Sequence, residues 1–488
     1  MRSLYNIAIW FYALAVRVVA FFNPKVKLMW QGEKDAYAKI ESGLREGDRV
    51  VWVHAASLGE FEQGRPLIEK LKRENPEYKI LLTFFSPSGY EVRKNYAGAD
   101  VIAYLPLDTA HNAKRFVELV KPEKVVFVKY EFWLNYLREL RVRGVDTYII
   151  SAIFRENQVF FKWYGGIFRE GLKAFKMMFV QNEESKELLK GIGVENVVVA
   201  GDTRFDRVAD IAAAAKKLEI VERFVGIRTE DLGMRNGVPL SPSDSSPNLG
   251  EQSREVQNGE FLPVLVVGSS WGPDEDLLAR YINERAGRMK MIIAPHEVRE
   301  ERIKELTGKL TCKWMLYTNA QCTMHNAQLS DNIHSQSNLE EFNPSVLRTP
   351  PLRQGRNMEC RSALNDADVL VVNTIGVLSS VYQYGQVAYI GGGFGVGIHN
   401  TLEAAAWGIP VVFGPNYHKF QEAKELIECG AGWSIKNYEE CARALDEFFE
   451  KNEVASKAAA EYVASHTGAT DLIYNAQFTI HNYSPIGS

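Results

Sequence analysis

A carboxylate stands where a predicted strand gives way to a predicted helix, in the stretch VWVHAASLGEFEQG, residues 51–64. The apolar run closes at His54, small residues follow, and Glu60 opens the helix. An ionised carboxylate that reaches a substrate hydroxyl can remove its proton as a general base. A glutamate in a first helical turn can also do no more than complement the helix dipole. The stretch alone leaves both interpretations of Glu60 open.

Polar residues follow other predicted strands in the first half of the chain. They are Ser57 and Gly59 beside Glu60, Ser88 and Gly89 in FFSPSGYE, Glu131 in KYEFW, and Arg155 in SAIFRE. Each of them taken singly suits the cap of a helix. Because the carboxyl ends of parallel strands meet at one edge of a sheet, where ligands bind, we interpret the whole set as a substrate-binding rim.

The second half of the chain carries a glycine-rich loop in YIGGGFGVGIHNTLEAAAWG, residues 389–408. The loop includes Gly392 and Gly393, and a helix is predicted to begin near Asn400. Such a loop lets backbone amides approach a phosphate at a helix N-terminus. Glu403 suits either a capping interaction or the acceptance of ribose hydroxyls. The loop therefore predicts a nucleotide site.

Three more strand ends in this half carry polar residues. They are Ser269 and Ser270 in VVGSSWGPDED, His296 and Arg299 in IIAPHEVRE, and Thr374 in VVNTIG. The serines and the threonine also suit plain N-cap loops, and a lone histidine also suits an ordinary surface position. Their positions favour contacts with the same nucleotide.

The elements that position these residues follow from the pattern of apolar runs. From residue 48 onwards short β-rich runs alternate with amphipathic helical stretches, as in parallel, doubly wound sheets. Polar residues 226–260, rich in Gly, Pro and Ser, interrupt the pattern, and a second polar stretch spans about 318–361. We predict an α/β protein with two Rossmann-like domains facing a cleft. Residues 25–210 form the acceptor domain, 211–260 a linker with a disordered insertion, 261–465 the donor domain, and 466–488 a C-terminal segment.

The N-terminus resembles a membrane segment. Residues 4–22 are nearly all apolar, and their length is close to the ~20 residues of a spanning helix. Arg17 lies inside the run and can snorkel to the interface, while Lys25, Lys27 and Lys34 follow it. We predict that residues 1–24 anchor or lie on a membrane with the rest of the chain on the cytoplasmic side. A cleaved signal peptide and a soluble helix are the alternatives.

Charge balance and cysteine content narrow the kinds of partner and site that we expect for this chain. Residues 1–210 hold 32 Lys and Arg against 27 Asp and Glu, so this half is basic within a chain of net charge -4. That asymmetry suits an anionic partner or membrane, or is chance variation of a solvated surface. The five cysteines form no CxxC pair, which argues against a disulfide framework or a zinc site. We expect no metal and no nucleic-acid partner.

The order of the motifs resembles the 3-deoxy-D-manno-octulosonic acid (Kdo) transferases of lipopolysaccharide assembly. The motifs are HAASLGE, SPSG, YLPLD, YEFW, GDTRFD, GSSWGPDED, TIG and GGGFGVGIHNTLEAAAWGIPVVFGP, after an apolar N-terminus. The resemblance covers nearly the whole chain apart from the two polar stretches. It implies a GT-B fold and transfer of Kdo from CMP-Kdo to a lipid A precursor of the lipid IVA type, at the cytoplasmic face of the inner membrane.

The resemblance also implies an inverting reaction that needs neither metal nor cofactor. Glu60 matches the proposed general base, and Glu131 matches a second acidic residue that contacts the acceptor. The residues that fall in CMP-contacting motifs are Ser269, His296, Asn400 and Glu403.

The chain departs from the family pattern at four places. Trp271 replaces a histidine, Val377 a glutamate and Lys129 an acidic residue, and APH stands where the family has PRH, so that an arginine contact is either missing or supplied by Arg299. These departures indicate a divergent subgroup. The alternative function is that of another GT-B enzyme, a UDP-sugar transferase or an epimerase, although the apolar N-terminus argues against a soluble epimerase.

Overall fold

The computed structural model describes residues 2–226, 262–321 and 364–479. The chain forms two compact units. The first comprises Met1–Arg207 and His466–Ser488, and the second comprises Val208–Ser465. The predicted insertion at 226–260 and the polar stretch at 318–361 lie almost entirely outside the described residues.

A parallel seven-stranded sheet forms the centre of the first unit, in the order β3-β2-β1-β4-β5-β6-β7. Its strands are β1 Arg49–His54, β2 Tyr78–Phe84, β3 Val101–Tyr104, β4 Lys124–Val128, β5 Asp146–Ala152, β6 Met177–Val180 and β7 Val197–Val199. Helices cover the sheet, so the central strands are buried along almost their whole length, which explains their continuous Val and Ile runs.

The helices of this unit connect successive strands or close its ends. They are α1 Arg2–Val19, α2 Pro24–Gly43, α3 Leu58–Glu74, α4 Pro87–Arg93, α5 Ala110–Val120, α6 Leu134–Val142, α7 Gly166–Leu172 and α8 Glu183–Lys190, with α18 Ala469–Tyr474 returning from the C-terminal end. Helix α9 Arg204–Ala213 begins in this unit and continues past its boundary at Arg207. Asp206 accepts hydrogen bonds from the backbone N–H of Gly468 and of Thr470, which attaches α18 to this unit.

The second unit is built around another parallel sheet, in the order β10-β11-β9-β8-β12-β13-β14. Its strands are β8 Val264–Ser270, β9 Lys290–Pro295, β10 Trp314–Leu316, β11 Val369–Val371, β12 Val387–Ile390, β13 Val411–Phe413 and β14 Gly432–Ser434. Its helices are α10 Glu219–Val225, α11 Gly272–Asn283, α12 Glu300–Gly308, α13 Leu378–Val381, α14 Leu402–Ala405, α15 Gln421–Glu428, α16 Tyr438–Glu450 and α17 Asn452–His466. The predicted α/β architecture with two Rossmann-like halves is confirmed.

Helix α10 lies within the stretch that the sequence predicts as linker. Ile220, Val221 and Phe224 are buried, and the backbone N–H of Leu218 donates to the hydroxyl of Tyr384 at 2.6 Å. The described end of that stretch is therefore an ordered helix of the second unit.

Helix α1 packs one side against the first unit and leaves an apolar side exposed. Tyr5 donates to Asp108 at 2.6 Å and Val16 is buried, whereas Trp10 is 60% and Phe11 59% exposed. No single described helix is long and apolar enough to cross a bilayer. Helices α1 and α2 meet that requirement only as a pair, and the chain bends by 119° between them.

Each sheet has a point at which the chain reverses its direction of winding. In the first sheet β1 lies between β2 and β4, and in the second β8 lies between β9 and β12. Ligands of open parallel sheets bind outside the carboxyl ends of the strands at such a switch point. The residues predicted for the site cluster at these two edges.

Candidate active site

Glu60 follows β1 at the switch point of the first sheet, in the third position of α3. The backbone N–H of Ser57 donates to its Oε2 at 3.0 Å, and the Ser57 hydroxyl lies 3.3 Å from the same oxygen. This is a capping box, so Glu60 does complement the start of its helix. Burial nevertheless raises the pKa of Glu60, and the negative charge of Glu131 raises that pKa further. A carboxylate with a raised pKa is also the stronger base.

Glu131 follows β4, the strand adjacent to β1, and is largely buried. Its Oε2 lies 3.2 Å from Nε2 of His54 and accepts a hydrogen bond from Nε1 of Trp133 at 2.5 Å. In the same loop Lys129 has a φ of 68°, in the left-handed region that side chains rarely adopt. The strained turn re-aims the chain directly after the strand, and Glu131 is brought next to Glu60.

Asp108 fixes the end of this loop from another part of the sheet. Helix α6 begins directly after Trp133, which supplies no side-chain cap. Asp108 supplies it instead, because its two oxygens accept the backbone N–H of Asn135 and of Tyr136, each at 3.0 Å. The YLPLD motif therefore positions the YEFW loop, and Tyr5 of α1 donates to the same carboxylate.

Small residues beside Glu60 leave one side open and pack closely on the other. Gly59 is exposed, and a Cβ built on it would meet nothing within 4 Å. A Cβ on Gly89 would lie 2.3 Å from the Phe84 ring and 3.1 Å from the carbonyl carbon of Ser57, so α4 packs directly on the loop after β1. Ser88, on the exposed side of α4, lies 2.9 Å from the Ser86 hydroxyl.

Arg155 follows β5, one strand beyond Glu131. It is exposed, and its Nη1 donates to the hydroxyl of Tyr130 at 3.2 Å. The predicted acceptor-side residues therefore lie on the loops of four adjacent strands, at one edge of the sheet. Sequence reasoning missed the buried partners His54 and Thr83, although polar residues inside otherwise apolar strands are a signal that could have found them.

In the second unit Asp274 holds the glycine loop against the loop after β8. This side chain is completely buried. Its Oδ2 accepts the backbone N–H of Gly392 and of Trp271, each at 2.9 Å, while the Tyr389 hydroxyl donates to Oδ1 at 2.9 Å. Sequence reasoning did not single out Asp274, because its partners come from a strand more than a hundred residues away.

The glycines of this loop are required by close packing. Gly392 has a φ of 92°, and a Cβ on Gly393 would lie 2.6 Å from the Cα of Gly414. Helix α14, which follows the loop, is a single turn. Any anion at this loop therefore depends on backbone amides, since a four-residue helix contributes only a weak dipole.

Asn400 and Glu403 contact each other just before and within α14. The Asn400 amide donates to Oε1 of Glu403 at 3.1 Å, and the Ser379 hydroxyl donates to Oε2 at 2.6 Å. Asn400 also accepts the backbone N–H of Leu402. Asn400 thus caps the helical turn and orients the Glu403 carboxylate.

Three rings form a stack across the loops after β8, β9 and β12. The ring centroids of Trp271 and His296 are 4.6 Å apart, and those of His296 and His399 are 4.5 Å apart. Trp271 Nε1 donates to His399 Nε2 at 3.1 Å. Burial and the neighbouring His296 lower the pKa of His399 to about 4, so His399 is neutral near pH 7. The tryptophan that departs from the family pattern is therefore part of the predicted donor site.

The remaining donor-side residues differ in their surroundings. Ser270 is buried and donates to Glu275 at 3.1 Å, and Glu275 in turn pairs with Arg302. Ser269 has a φ of 54° in the same turn. Arg299 is exposed and pairs with Glu297.

Thr374 follows β11, two strands from β8, in a half-buried loop. The predicted donor-side residues thus share one edge of the second sheet, and Arg299 and Thr374 lie at its periphery.

Two solved structures superpose on this chain with TM-scores below 0.5. The UDP-GlcNAc 2-epimerase from Neisseria meningitidis superposes with a TM-score of 0.48 at 15% identity, over 88% of this chain and 100% of that one. The C-terminal CMP-Kdo binding domain of WaaA from Acinetobacter baumannii superposes with a TM-score of 0.28 at 20% identity, over 41% of this chain and 89% of that one.

Comparison with known sequences finds similarity to one kind of enzyme. Residues 31–207 match the family model of 3-deoxy-D-manno-octulosonic-acid transferase (kdotransferase). The 3-deoxy-D-manno-octulosonic acid transferase of Aquifex aeolicus (strain VF5) is 25% identical over 415 aligned residues, 83% of this chain and 88% of the relative. That of Bordetella pertussis is 24% identical over 94% of this chain and 96% of the relative. That of Chlamydia pneumoniae is 23% identical over 100% and 99%.

These relatives align along both units, and the family model matches the unit that contains Glu60 and Glu131. The chain is a glycosyltransferase that is similar along both units to 3-deoxy-D-manno-octulosonic acid transferases.

Proposed function

We propose that this enzyme moves Kdo from CMP-Kdo to a lipid A precursor of the lipid IVA type, with inversion at the anomeric carbon and Glu60 as the general base. One observation carries the proposal: a carboxylate whose pKa is raised by burial and by Glu131 lies at the switch point of the first sheet. A base in this position has the raised proton affinity that abstraction from a hydroxyl needs.

The chemical step is balanced without a metal or a cofactor. Glu60 takes the proton of a primary hydroxyl on the glucosamine disaccharide. The oxygen's electron pair forms a bond to the Kdo anomeric carbon, while the bond from that carbon to the phosphate oxygen of CMP breaks. Its electrons leave with CMP, whose phosphate is a good leaving group.

On the acceptor side we assign contacts to Ser57, Gly59, Ser88, Gly89, Glu131 and Arg155. Gly59 leaves the approach to Glu60 open, and the exposed guanidinium of Arg155 suits an anionic group such as a lipid phosphate. The small and hydroxyl side chains give a sugar ring room and hydrogen-bond partners.

On the donor side we assign contacts to Ser269, Ser270, His296, Arg299, Thr374, Gly392, Gly393, Asn400 and Glu403. The backbone amides of the glycine loop suit the CMP phosphate. The Glu403 carboxylate, oriented by Asn400 and Ser379, suits ribose hydroxyls. Because His399 is neutral near pH 7, it contributes no positive charge toward the phosphate.

We further propose that the enzyme works at the cytoplasmic face of the inner membrane, with α1 in the interface. Four large apolar side chains of α1 and the turn after it are highly exposed: Trp10 60%, Phe11 59%, Phe21 82% and Phe22 84%. Lys25 and Lys27 follow, where anionic lipid headgroups attract basic residues. An amphipathic helix of this kind binds a membrane surface without spanning it.

Product analysis tests the proposal. The purified chain is incubated with CMP-Kdo and a tetraacylated lipid A precursor, and the lipid is analysed by mass spectrometry. We expect a mass increase of one or more Kdo residues and release of CMP. Modification only with a UDP-sugar, with CMP-Kdo left intact, would overturn the donor assignment.

A further inference from the structure

A row of buried polar side chains leads from the centre of the first sheet to Glu131. Trp52 and His54 lie two residues apart on β1 and so share one face of the sheet. The register of β1 and β2 sets Thr83 opposite His54. Trp52, His54 and Thr83 are all completely buried, so their hydrogen bonds must be made among themselves or with nearby protein groups.

The distances connect the four side chains in sequence. Trp52 Nε1 donates to Thr83 Oγ1 at 2.7 Å, and Thr83 Oγ1 lies 2.8 Å from His54 Nδ1. His54 Nε2 lies 3.2 Å from Glu131 Oε2. Trp133 Nε1 reaches the same carboxylate oxygen at 2.5 Å and also lies 3.1 Å from His54 Nε2.

Donor and acceptor chemistry fixes the direction of each hydrogen bond in this row of side chains. An indole nitrogen only donates, so Thr83 Oγ1 accepts from Trp52. His54 Nδ1 is the one other recorded partner of the Thr83 hydroxyl within the described residues, and the hydroxyl proton therefore points to it. The single Trp133 Nε1–H is directed to its nearer acceptor, Glu131 Oε2, rather than to His54 Nε2. Nδ1 is then the acceptor and Nε2 carries the ring proton. That proton points at Glu131.

We propose that His54 is a positioning residue, whose tautomer is set by Trp52 and Thr83 and whose Nε2–H holds the Glu131 carboxylate beside Glu60. The inference rests on the proposed function, since it assigns these residues a part in the same reaction. His54, Thr83 and Trp52 touch no substrate in this scheme, and they act through Glu131.

The expected consequence is electrostatic. The charged or titratable groups that act on Glu60 are Glu131 and Lys129 of the loop after β4 and His54 of β1. Glu131 raises the pKa of Glu60, and that effect depends on its carboxylate staying close. When the hydrogen bonds from Trp52 through Thr83 to His54 are broken, Glu131 keeps only the bond from Trp133. Its carboxylate is then held less closely beside Glu60, and the pKa of Glu60 falls. The base is then weaker, and the acid limb of the pH profile moves to lower pH.

The test compares Thr83→Val with Thr83→Ser in the full chain. Valine keeps the shape but removes the hydroxyl, whereas serine keeps the hydroxyl. We expect Thr83→Val to lower kcat at least about tenfold, because His54 without its fixed tautomer loses the hydrogen bond to the charged Glu131, with KM for CMP-Kdo unchanged. The acid limb of the pH profile of Thr83→Val moves to lower pH, whereas Thr83→Ser retains the wild-type kcat and the wild-type pH profile. Thr147→Val is the matched control, because Thr147 is equally buried in β5 but donates to a backbone carbonyl.

A second measurement needs neither activity nor a substitution of Thr83. In the wild-type chain labelled with ¹⁵N-histidine, the His54 resonances, assigned by their loss in His54→Gln, should show Nδ1 unprotonated and Nε2 protonated. The opposite tautomer would overturn the inference, as would equal kcat and equal pH profiles of the valine and serine variants. A wild-type protein that transfers no Kdo contradicts the proposed function. The tautomer of His54, in contrast, reports only on the hydrogen bonds that connect Trp52, Thr83 and His54 to Glu131.

Discussion

Removal of the Asp274 carboxylate should detach the glycine loop of the second unit. Alanine at this position leaves three donors without an acceptor, namely the buried backbone N–H of Gly392, the buried hydroxyl of Tyr389 and the partly buried backbone N–H of Trp271. Each unsatisfied buried donor costs about 1–3 kcal/mol, and water entering the small cavity recovers part of this. We expect Asp274→Ala to lower the free energy of unfolding by about 3–5 kcal/mol.

Asparagine at the same position separates charge from shape. It retains one oxygen for the two backbone N–H groups, whereas the oxygen that accepts from the Tyr389 hydroxyl becomes an NH2 group, to which that hydroxyl oxygen can only act as acceptor. We expect a loss of about 1–2 kcal/mol. Asp276→Ala is the control, because Asp276 lies on the same helix, is mostly exposed and pairs with Lys309. It should cost no more than about 1 kcal/mol.

The assay is urea denaturation of the three variants, followed by calorimetric titration with CMP. Asp274→Asn, which stays folded, should bind CMP more weakly than Asp276→Ala does, because the loop that approaches the phosphate is less firmly held. The reasoning is refuted if the free energy of unfolding of Asp274→Ala lies within about 1 kcal/mol of that of the Asp276→Ala control.

Three further predictions concern α1, α2 and the ring stack. Burial raises the pKa of Glu33 to about 7, well above its unfolded value, so its ionised form disfavours the fold and stability falls as the pH rises from about 4.5 to 7. Glu33→Gln should therefore be more stable than wild type at pH 8, by up to about 3 kcal/mol, and no more stable than wild type at pH 4.5. Denaturation at both pH values measures this, with the exposed variant Glu41→Gln as the control. An equal difference at the two pH values would contradict the prediction. Trp10→Ser, which leaves the charge of α1 unchanged, should weaken binding to anionic phospholipid vesicles at least about tenfold in a sedimentation assay, because a large apolar side chain is lost from the membrane-facing side, and unchanged binding would argue against α1 as the contact. Trp271→Phe keeps a ring in the stack but removes the N–H donated to His399, so ¹⁵N NMR titration should find the pKa of His399 above about 4, and an unchanged value would mean that the Trp271 N–H does not hold His399 neutral.

The sequence predicts the elements of this fold well, because each depends on a local pattern. Strands such as KVVFV are continuous apolar runs buried on both faces, and small or capping residues mark the turns that follow them. The two edges that carry the candidate site are also predictable, since parallel strands collect the loops after them at one edge. Glu60 and Glu131 are neighbours for this reason.

Partners from distant segments cannot be predicted in the same way. The hydrogen bond between His54 and Thr83 depends on the register of β1 against β2, and the cap that Asp108 gives to α6 crosses 26 residues of chain from Asp108 to Leu134. Helix α10 falls in the segment 211–260 that we predict as a linker, although the polar composition begins only at residue 226, and its apolar residues are buried in the structure. Tertiary packing decides these features, and local propensity does not.

The most direct test of the account is the rate of Kdo transfer by Glu60→Gln. Glutamine keeps the size of the side chain and one oxygen for the Ser57 N–H, so α3 should remain capped and the binding of CMP-Kdo should be retained. Without a base, single-turnover transfer to the lipid acceptor should fall by about 10²–10⁴-fold. Transfer within tenfold of the wild-type rate, with donor binding unchanged, would contradict the role of Glu60 as general base.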